Sequence, residues 1–305
     1  MGLVRARRVD WDRPMRIGTG LIGPATPADV VEAAADAAHR GLDSFWTNQN
    51  PGGWDPLTLL ATLGERPPEI GTSIVATYPR HPVTLAAEAV TLQAATGGLT
   101  LGIGPSHAWY VRDQLGLPYT SPLRHTREYL TVLRPLLRGE HVRHTGEFFT
   151  VDTELSVSAP PPPLLMSALG PRMLDLAREL ADGVVTTWVT PELIAEHVVP
   201  RVGPGLRVVA GVITLLTTDP DAAREALAVD LAFVGDMPAY RASLGRAGLS
   251  NPADTVVVGD EATILDALAR FRDAGVTDAV VTPLGSAADR ARTLDLVGAF
   301  TATAG

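Results

Sequence analysis

Strand-like segments alternate with helix-like segments along most of the chain, and eight such units can be distinguished. The strand segments are short apolar runs, and several helix segments open on a capping residue followed by proline, as at Thr26-Pro27. Eight alternating units predict an α/β fold with a parallel sheet closed into a (β/α)8 TIM barrel. An open doubly wound sheet would need a GxGxxG turn after the first strand, which Gly18, Gly20 and Gly23 do not supply.

The predicted elements define one domain with two insertions. We expect barrel strands at residues 16–22, 42–48, 70–76, 99–104, 164–168, 183–188, 207–216 and 279–283. Residues 1–14 are expected to form an N-terminal tail, and residues 15–305 a single barrel domain. The insertions fall at about 107–163, which holds a helix over 122–137 and a hairpin, and at about 219–276, which has the pattern of extra helices.

The charge balance and the missing residue types exclude several classes of function. The 305 residues carry a formal net charge of −9, which argues against a nucleic-acid partner, because phosphate binding needs a basic surface. The chain has no cysteine and no lysine, which excludes disulfides, thiol nucleophiles and Schiff-base chemistry. The start lacks the apolar core of a signal peptide and no apolar run is long enough to cross a bilayer, so we expect a cytoplasmic protein without a membrane partner.

Residues 99–107, LTLGIGPSH, predict a catalytic position. In a (β/α)8 barrel the ligand lies at the C-terminal ends of the strands, and this strand delivers glycine, proline, serine and histidine to that end. His107 is the only imidazole at a predicted strand end, and imidazoles suit proton transfer near neutrality. The alternative is a histidine at a helix start that only bonds the backbone, and the spacing alone favours that alternative.

The other predicted strand ends are rich in glycine, hydroxyls and amides and poor in acids. Paired carboxylates for glycoside hydrolysis and HxH or HExxH spacings are absent from the sequence, so we expect no metal site. Gly170, Pro171 and Arg172 follow the fifth strand, and a helix-start amide beside an arginine can hold a phosphate. A capped helix with a solvated arginine explains that segment equally well. Thr187 offers a hydroxyl to the same anion, although β-branched residues are common in strands.

Aromatic residues also lie near predicted strand ends: Trp46, Trp54, Trp109, Tyr110 and Trp188. They are suited to wall a flat heteroaromatic ring, although core packing is the default for any one of them.

The third strand ends in small residues at positions 71–74. This suits either a buried strand or a bulge that brings backbone against a planar cofactor. In the turn that follows, we expect His81 to cap the next helix rather than to act in catalysis.

Four segments resemble the bacterial luciferase-like family, and most closely its branch that uses the deazaflavin coenzyme F420. They are GTSIVATYPRHP, LTLGIGPSH, HTREYLTVLRPLLRGEHVRHTGEFFTV and ALGPRMLDLARELADG, in that order and at the family's spacing. The resemblance runs from about Met15 to the C-terminus. It implies a (β/α)8 barrel with insertions, which agrees with the strand count, and coenzyme F420 as cofactor with FMN as the alternative.

The resemblance also implies which residues form the site. A non-prolyl cis peptide against the deazaflavin ring would fall between Ser73 and Ile74, and the loop after the fourth strand would line ring and substrate. The implied cofactor-binding residues are Gly18, Gln49, Ser73, Ile74, Thr77, Gly104, Pro105, Ser106, Leu169, Gly170, Pro171, Arg172, Gly183 and Thr187. The implied substrate-binding residues are Asn50, Trp109, Tyr110 and Trp188, with His107 as the catalytic residue.

Departures from the family's sugar-phosphate dehydrogenases redirect the expected function. Those relatives carry a histidine after the second strand and a glutamate after the fourth, where this chain has Asn50 or Gln49 and His107, and their phosphate-gripping lysine has no counterpart. We therefore expect a reductase that passes hydride from reduced F420 to an activated C=C or C=N bond. The expected substrate is a small-molecule or peptide natural product, for example one with a dehydroamino-acid unit or a cyclic imine. His107 would donate the proton or polarise the acceptor.

Two other functions stay open at this point. One is an FMN-dependent monooxygenase that works with a partner flavin reductase, and the other is a non-catalytic cofactor-binding barrel. The resemblance further implies that a homodimer is a common assembly.

Overall fold

The computed structural model describes residues 14–21 and 25–303, and within them eight parallel strands close into a barrel. These are β1 (Arg16–Gly20), β2 (Ser44–Thr47), β3 (Glu69–Thr72), β4 (Leu99–Gly104), β5 (Leu164–Ser167), β6 (Gly183–Thr186), β7 (Arg207–Leu216) and β8 (Asp278–Pro283). β8 pairs with β1 in the register Arg16↔Asp278, which closes the barrel. The predicted (β/α)8 architecture is confirmed. The expected N-terminal tail, apart from Pro14, lies outside the described residues, as does Ile22.

The third strand is interrupted where the sequence predicted a continuous strand over 70–76. The Ser73–Ile74 peptide bond is cis, at the position that the family resemblance implied. The strand resumes at Val75–Ala76, which pairs with β4. β2, β5 and β6 also end one or two residues before their predicted ends, because the chain turns there from the sheet into loops at the barrel mouth.

Helices begin at the capping residues that the sequence predicted. Thr26 and Asp29 form a complete capping box, Asp55 caps the next helix, and the His81 Nδ1 accepts the Val83 N–H at 3.3 Å. The helices are α1 (Pro27–His39), α2 (Pro56–Ala61), α3 (Pro82–Thr96), α4 (Pro122–Leu137), α5 (Pro171–Leu180), α6 (Pro191–Leu193), α7 (Val199–Val202), α8 (Pro220–Asp230), α9 (Ala232–Gly235), α10 (Pro238–Arg246), α11 (Glu261–Asp273) and α12 (Ala287–Thr303). Short π-helices span Trp109–Gln114 and Ile194–Val198, and a 3-10 helix spans Pro252–Thr255.

Both predicted insertions contain ordered secondary structure. The first holds α4 and an antiparallel hairpin of Val142–Thr145 with Thr150–Thr153, as predicted. The Glu128 carboxylate of α4 accepts three consecutive backbone N–H groups at the hairpin turn, from residues 147, 148 and 149, and so fixes the hairpin to the helix. The second holds α8, α9, α10 and an unpredicted strand, Val257–Gly259, which extends the sheet beside the end of β7. That strand has three residues, too few for a recognisable sequence pattern.

The two ends of the barrel interior differ in chemistry. At the N-terminal end, Arg16, Glu69, Arg207 and Asp278 form a network of ion pairs, with Arg207 joining Glu69 at 2.8 Å and Asp278 at 2.7 Å. The layer above is apolar and consists of Trp46, Leu165, Val185, Val209 and Val280. In barrels of this type the N-terminal end serves stability, which leaves the C-terminal end for ligands.

A helix that crosses a bilayer must be both long and apolar. Across residues 14–21 and 25–303, no helix combines the length and the apolar character that a bilayer span requires.

Candidate active site

The barrel mouth is built where β3, β4 and β5 end, and Gln49 supports the break in β3. Its backbone N–H donates to the Ile74 carbonyl at 3.1 Å, and its side-chain Oε1 accepts the Ala76 N–H at 2.9 Å. The Ser73 N–H donates to the Thr47 carbonyl at 2.7 Å. The loop after β2 therefore holds the backbone on both sides of the cis peptide, and the Ile74 side chain packs on the apolar layer of the barrel.

Gly104, the last residue of β4, lets the neighbouring side chains pack directly on the backbone beside that break. A Cβ atom here would lie 2.9 Å from the Ser167 Cβ and 3.3 Å from the Ile74 side chain, which is too close for a larger residue. The Thr77 N–H donates to the Gly104 carbonyl at 2.9 Å, and the buried Thr77 hydroxyl has no hydrogen-bond partner in the described part of the chain. The half-buried side chains of Ile74 and Ser167 thus close over Gly104 and form a compact floor, which fits a flat ring such as a flavin or deazaflavin has.

The loop after β4 is fixed by hydrogen bonds on both sides of His107. The Tyr119 hydroxyl donates to the Ser106 carbonyl at 2.9 Å, and Ser106 itself has a left-handed backbone with φ of 62°. The His107 carbonyl accepts the Val111 N–H at 3.0 Å and so starts the π-helix Trp109–Gln114. π-Helical turns recur at functional sites because they change the direction of nearby side chains.

The His107 ring is half-buried and carries no structural task that the described residues reveal. It makes no side-chain hydrogen bond within them; the backbone of His107, not its ring, serves the helix start. The Trp109 ring lies nearly parallel to it, with the ring centroids 6.4 Å apart. Burial lowers the pKa of His107, so the imidazole is neutral at pH 7 and has an N–H to donate.

A second polar corner lies where β5 and β6 end. Gly170 is the N-cap of α5, no side chain caps the helix, and the space around the Gly170 Cα is open. Arg172 is exposed and forms no ion pair with the described residues, and Thr187 is half-buried on the neighbouring strand end. His197 donates from Nε2 to the Leu169 carbonyl at 3.2 Å, which holds this turn in place. An uncapped helix start beside an unpaired arginine suits a phosphate.

The second insertion, an excursion of the chain between β7 and β8, contributes an aromatic residue, Tyr240, that the sequence did not indicate. The Tyr240 ring of α10 has its centroid 5.3 Å from that of His107 and 6.5 Å, edge-on, from that of Trp188. Trp188 follows β6 with a left-handed φ of 55°. Burial raises the pKa of Tyr240 to about 12. The sequence around Tyr240 carries no motif. Its place at the site depends on how α10 packs, which a local sequence pattern does not reveal.

Most of the predicted site residues lie on the same C-terminal face of the barrel. Those on this face are Ser73, Ile74, Thr77, Gly104, Pro105, Ser106, His107, Trp109, Leu169, Gly170, Pro171, Arg172, Thr187 and Trp188.

Two predicted cofactor residues lie elsewhere and are corrected here. Gly183 starts β6 at the opposite end of the barrel, where a Cβ atom would lie 2.4 Å from the Arg207 carbonyl. Gly18 lies within β1, where a Cβ atom would lie 2.1 Å from the Ser44 Oγ. That Oγ accepts the Trp46 indole N–H at 2.8 Å, so Gly18 makes room for barrel packing. Both glycines serve close strand packing rather than a ligand.

Three further predicted residues have structural partners. The Gln49 side chain is occupied by the Ala76 N–H, as described above. Asn50 is exposed and its Oδ1 accepts from the Asn48 Nδ2 at 2.8 Å. Tyr110 is buried in a small cluster with Ala76, so it packs under the loop instead of facing a substrate. Trp46 is also core, as the default interpretation of a single aromatic residue had it.

Comparisons with known proteins show the family and several relatives of this chain. The family model described as "Luciferase-like monooxygenase" matches residues 9–278. A 5,10-methylenetetrahydromethanopterin reductase from Archaeoglobus fulgidus is 30% identical over 237 residues, covering 72% of this chain and 70% of that protein. A protein of the same name from Methanolobus tindarius is 29% identical over 175 residues, and this match spans about half of each chain, 55% here and 53% there.

Two solved structures share the architecture. The coenzyme F420 dependent tetrahydromethanopterin reductase from Methanopyrus kandleri has a TM-score of 0.75 at 21% identity, over 93% of this chain and 97% of that one. The oxygenating constituent of 3,6-diketocamphane monooxygenase from Pseudomonas putida, in complex with FMN, has a TM-score of 0.71 at 16% identity, over 95% and 98%. At these identities the likeness establishes the fold.

Proposed function

This chain belongs to the luciferase-like monooxygenase family, and from that premise we propose that it is a coenzyme F420-dependent oxidoreductase. In the proposed reaction, hydride passes from the reduced cofactor to one atom of an activated C=C or C=N bond of a small molecule or peptide, and a proton from solvent adds to the other atom. The reductase from Archaeoglobus fulgidus and the F420 dependent structure from Methanopyrus kandleri support the cofactor and the class of reaction.

The observation that carries the proposal is the closely packed floor at the ends of β3, β4 and β5. Gly104 lies between Ile74 and Ser167 with no room for a side chain, and the unpaired hydroxyl of Thr77 lies in the adjoining turn. We propose that the ring is held by this floor, through Ser73, Ile74, Gly104, Pro105 and Ser106. The phosphate would bind at the uncapped start of α5, through Leu169, Gly170, Pro171 and Arg172, with Thr187 as a further donor.

We assign His107 to polarising the acceptor, the unsaturated bond that receives the hydride. The deazaflavin supplies the hydride when it is bound, and the protein contributes orientation and electrostatics. Because burial lowers the His107 pKa, a neutral imidazole faces the substrate and donates an N–H hydrogen bond at pH 7. Such a bond stabilises the negative charge that develops on the polar atom of the acceptor. This environment supports polarisation over outright proton donation.

A parallel titration of the purified protein with oxidised F420 and with FMN tests the cofactor. We expect F420 to bind at least about tenfold more tightly, read from fluorescence. Reduced F420 should then be consumed without oxygen when an unsaturated ketone or a cyclic imine is added. Tighter binding of FMN would contradict the proposal.

Two arginines on α5 give a matched pair for the phosphate site. Arg172→Ala removes the exposed cation at the helix start and should weaken F420 binding about tenfold, with a smaller dependence on salt. Arg178→Ala removes an exposed cation from the last turn of the same helix and should leave F420 binding unchanged. Equal effects of the two changes would remove Arg172 from the site.

A flavin monooxygenase is the second candidate, and it is favoured by the FMN complex that shares this fold. It predicts tight FMN binding and oxygen consumption with reduced FMN. A non-catalytic barrel is the third, and it predicts binding of F420 without oxidation of the reduced cofactor by any acceptor. The same titration and turnover experiment therefore separates the three functions.

A further inference from the structure

We propose that Tyr240 determines acceptor specificity by donating a hydrogen bond from its hydroxyl to the polar atom of a flat, unsaturated acceptor held against His107 and Trp188. This inference rests on the proposed function and adds to it the class of substrate. That class is an α,β-unsaturated carbonyl compound or a cyclic imine. Tyr240 thus binds the acceptor directly, beside His107.

Three separate elements bring the three rings together. His107 comes from the loop after β4, Trp188 from the end of β6, and Tyr240 from α10. The Tyr240 ring is inclined by 57° to His107 and by 70° to Trp188, at centroid distances of 5.3 and 6.5 Å. Since the Tyr240 ring is tilted against the other two, they do not form one closed stack. They leave ring faces free for a flat ligand.

The hydroxyl of Tyr240 lacks a partner. Within residues 14–21 and 25–303 it makes no hydrogen bond, although the ring is half-buried and flanked by other rings. The Tyr240 hydroxyl is not one of the fully buried polar groups, so a ligand atom can reach it and accept its hydrogen bond. Because burial keeps the pKa of Tyr240 near 12, the group stays a donor across the working pH range of enzymes.

The polar groups of the mouth select what this donor can meet. His107 and Tyr240 offer N–H and O–H groups, both of which donate hydrogen bonds. Such a site suits a ligand whose polar atom accepts hydrogen bonds, as a carbonyl oxygen or imine nitrogen does. The aromatic walls favour a planar unsaturated body over a charged or strongly puckered one.

The position of Tyr240 is set by packing before any substrate binds. Ser243 and Leu244, on the same helix, are buried, and the Arg241 side chain donates to the Gly235 carbonyl at 3.2 Å. These contacts fix one side of α10 to the rest of the excursion. On its other side, the Tyr240 ring lies beside His107. A preorganised donor of this kind loses little entropy when it binds its ligand.

Tyr240→Phe tests the inference, with Tyr129→Phe as the matched control. The Tyr129 hydroxyl is buried without a partner in α4, away from the three rings. The probes are 2-cyclohexen-1-one, 1-pyrroline and N-acetyldehydroalanine methyl ester. Their saturated counterparts are cyclohexanone, pyrrolidine and N-acetylalanine methyl ester. Binding of each compound to the protein with oxidised F420 is measured by calorimetry, and kcat/KM with reduced F420 is measured separately.

We expect Tyr240→Phe to weaken binding of at least one unsaturated probe about tenfold, to lower its kcat/KM tenfold or more, and to leave the F420 Kd within twofold. Tyr129→Phe should behave as the unchanged protein. Unaltered probe binding and turnover in Tyr240→Phe would overturn the role of Tyr240 and leave the proposed function in place. Failure of the unchanged protein to oxidise reduced F420 with all three probes would overturn both.

Discussion

The side chain of Gln49 accepts the Ala76 N–H at 2.9 Å, and so joins the loop after β2 to the strand fragment beyond the cis peptide. Its own backbone N–H donates to the Ile74 carbonyl at 3.1 Å. One residue therefore satisfies a backbone donor and a backbone acceptor that the interrupted strand leaves without ladder partners. Gln49 therefore supports the floor of the proposed cofactor site.

Gln49→Leu should destabilise the protein by about 1–3 kcal/mol, because it leaves the Ala76 N–H without an acceptor. The F420 Kd should rise about tenfold, since the floor loses one of its supports. Urea unfolding and F420 titration measure the two effects. Asn50→Ala, on the exposed side of the same loop, is the control for stability and should cost less than about 0.5 kcal/mol. Equal stability losses would show that the Gln49 bond has no special weight.

His107→Ala should lower turnover by about 10²-fold or more and change the F420 Kd by less than twofold, because the ring faces the acceptor. The pH profile of kcat distinguishes polarisation by His107 from proton donation by His107. Since burial holds the His107 pKa below 6.5, an imidazole that only polarises gives a flat profile between pH 6.5 and 8. A tenfold fall per pH unit across that range would instead identify the imidazolium as the proton donor.

Asp278→Asn should destabilise the barrel by about 3 kcal/mol, since it leaves the largely buried Arg207 and the half-buried Arg16 with Glu69 as their shared carboxylate. Burial by itself would raise the pKa of Asp278, but Arg207 and Arg16 outweigh it and hold the pKa below its usual range. The contribution is therefore present above pH 4 and disappears as the pH falls further. Asp295→Asn removes an exposed partner of Arg40 and should cost less than about 1 kcal/mol in the same unfolding experiment.

Stability should fall as the pH drops from 6.5 towards 4, with His125 as one cause. Its ring stacks on Tyr78 with centroids 3.8 Å apart, and burial lowers its pKa to about 4, against 6.5 for a free imidazole. The unfolded chain takes up a proton in this range while the folded one does not, so the folded state loses about 1–2 kcal/mol by pH 5. His125→Phe keeps the stacking and should remove that part of the difference between pH 7.5 and pH 5. An unchanged difference would assign it to other groups.

Most of the fold was predictable because its signals are local. Thr26, Asp55 and His81 cap helices through hydrogen bonds that reach two or three residues, and apolar runs mark the strands. The break at Ser73–Ile74 is different. It came from the family resemblance, because the residues themselves suit a buried strand equally well.

The candidate site was predictable only to the level of strand ends. Gly18 and Gly183 are corrected because a glycine near a strand end looks the same in sequence whether it receives a ligand or a neighbouring strand. Tyr240 was missed because its place beside His107 depends on the packing of α10, a long-range contact with no local pattern. Gln49 has its partners in the segment after β3, at Ile74 and Ala76, so its supporting role becomes visible only once β2 and β3 pair.

β7 runs beyond the ends of its barrel neighbours, and its last three residues, Thr214 to Leu216, pair with Val257–Gly259. Backbone hydrogen bonds thus join the excursion that carries Tyr240 to the sheet. Shortening the excursion in an engineered variant would remove these hydrogen bonds. The end of β7 would then be an open strand edge, which favours aggregation. Redesign of acceptor preference should therefore substitute side chains on α10 and leave the length of the excursion intact.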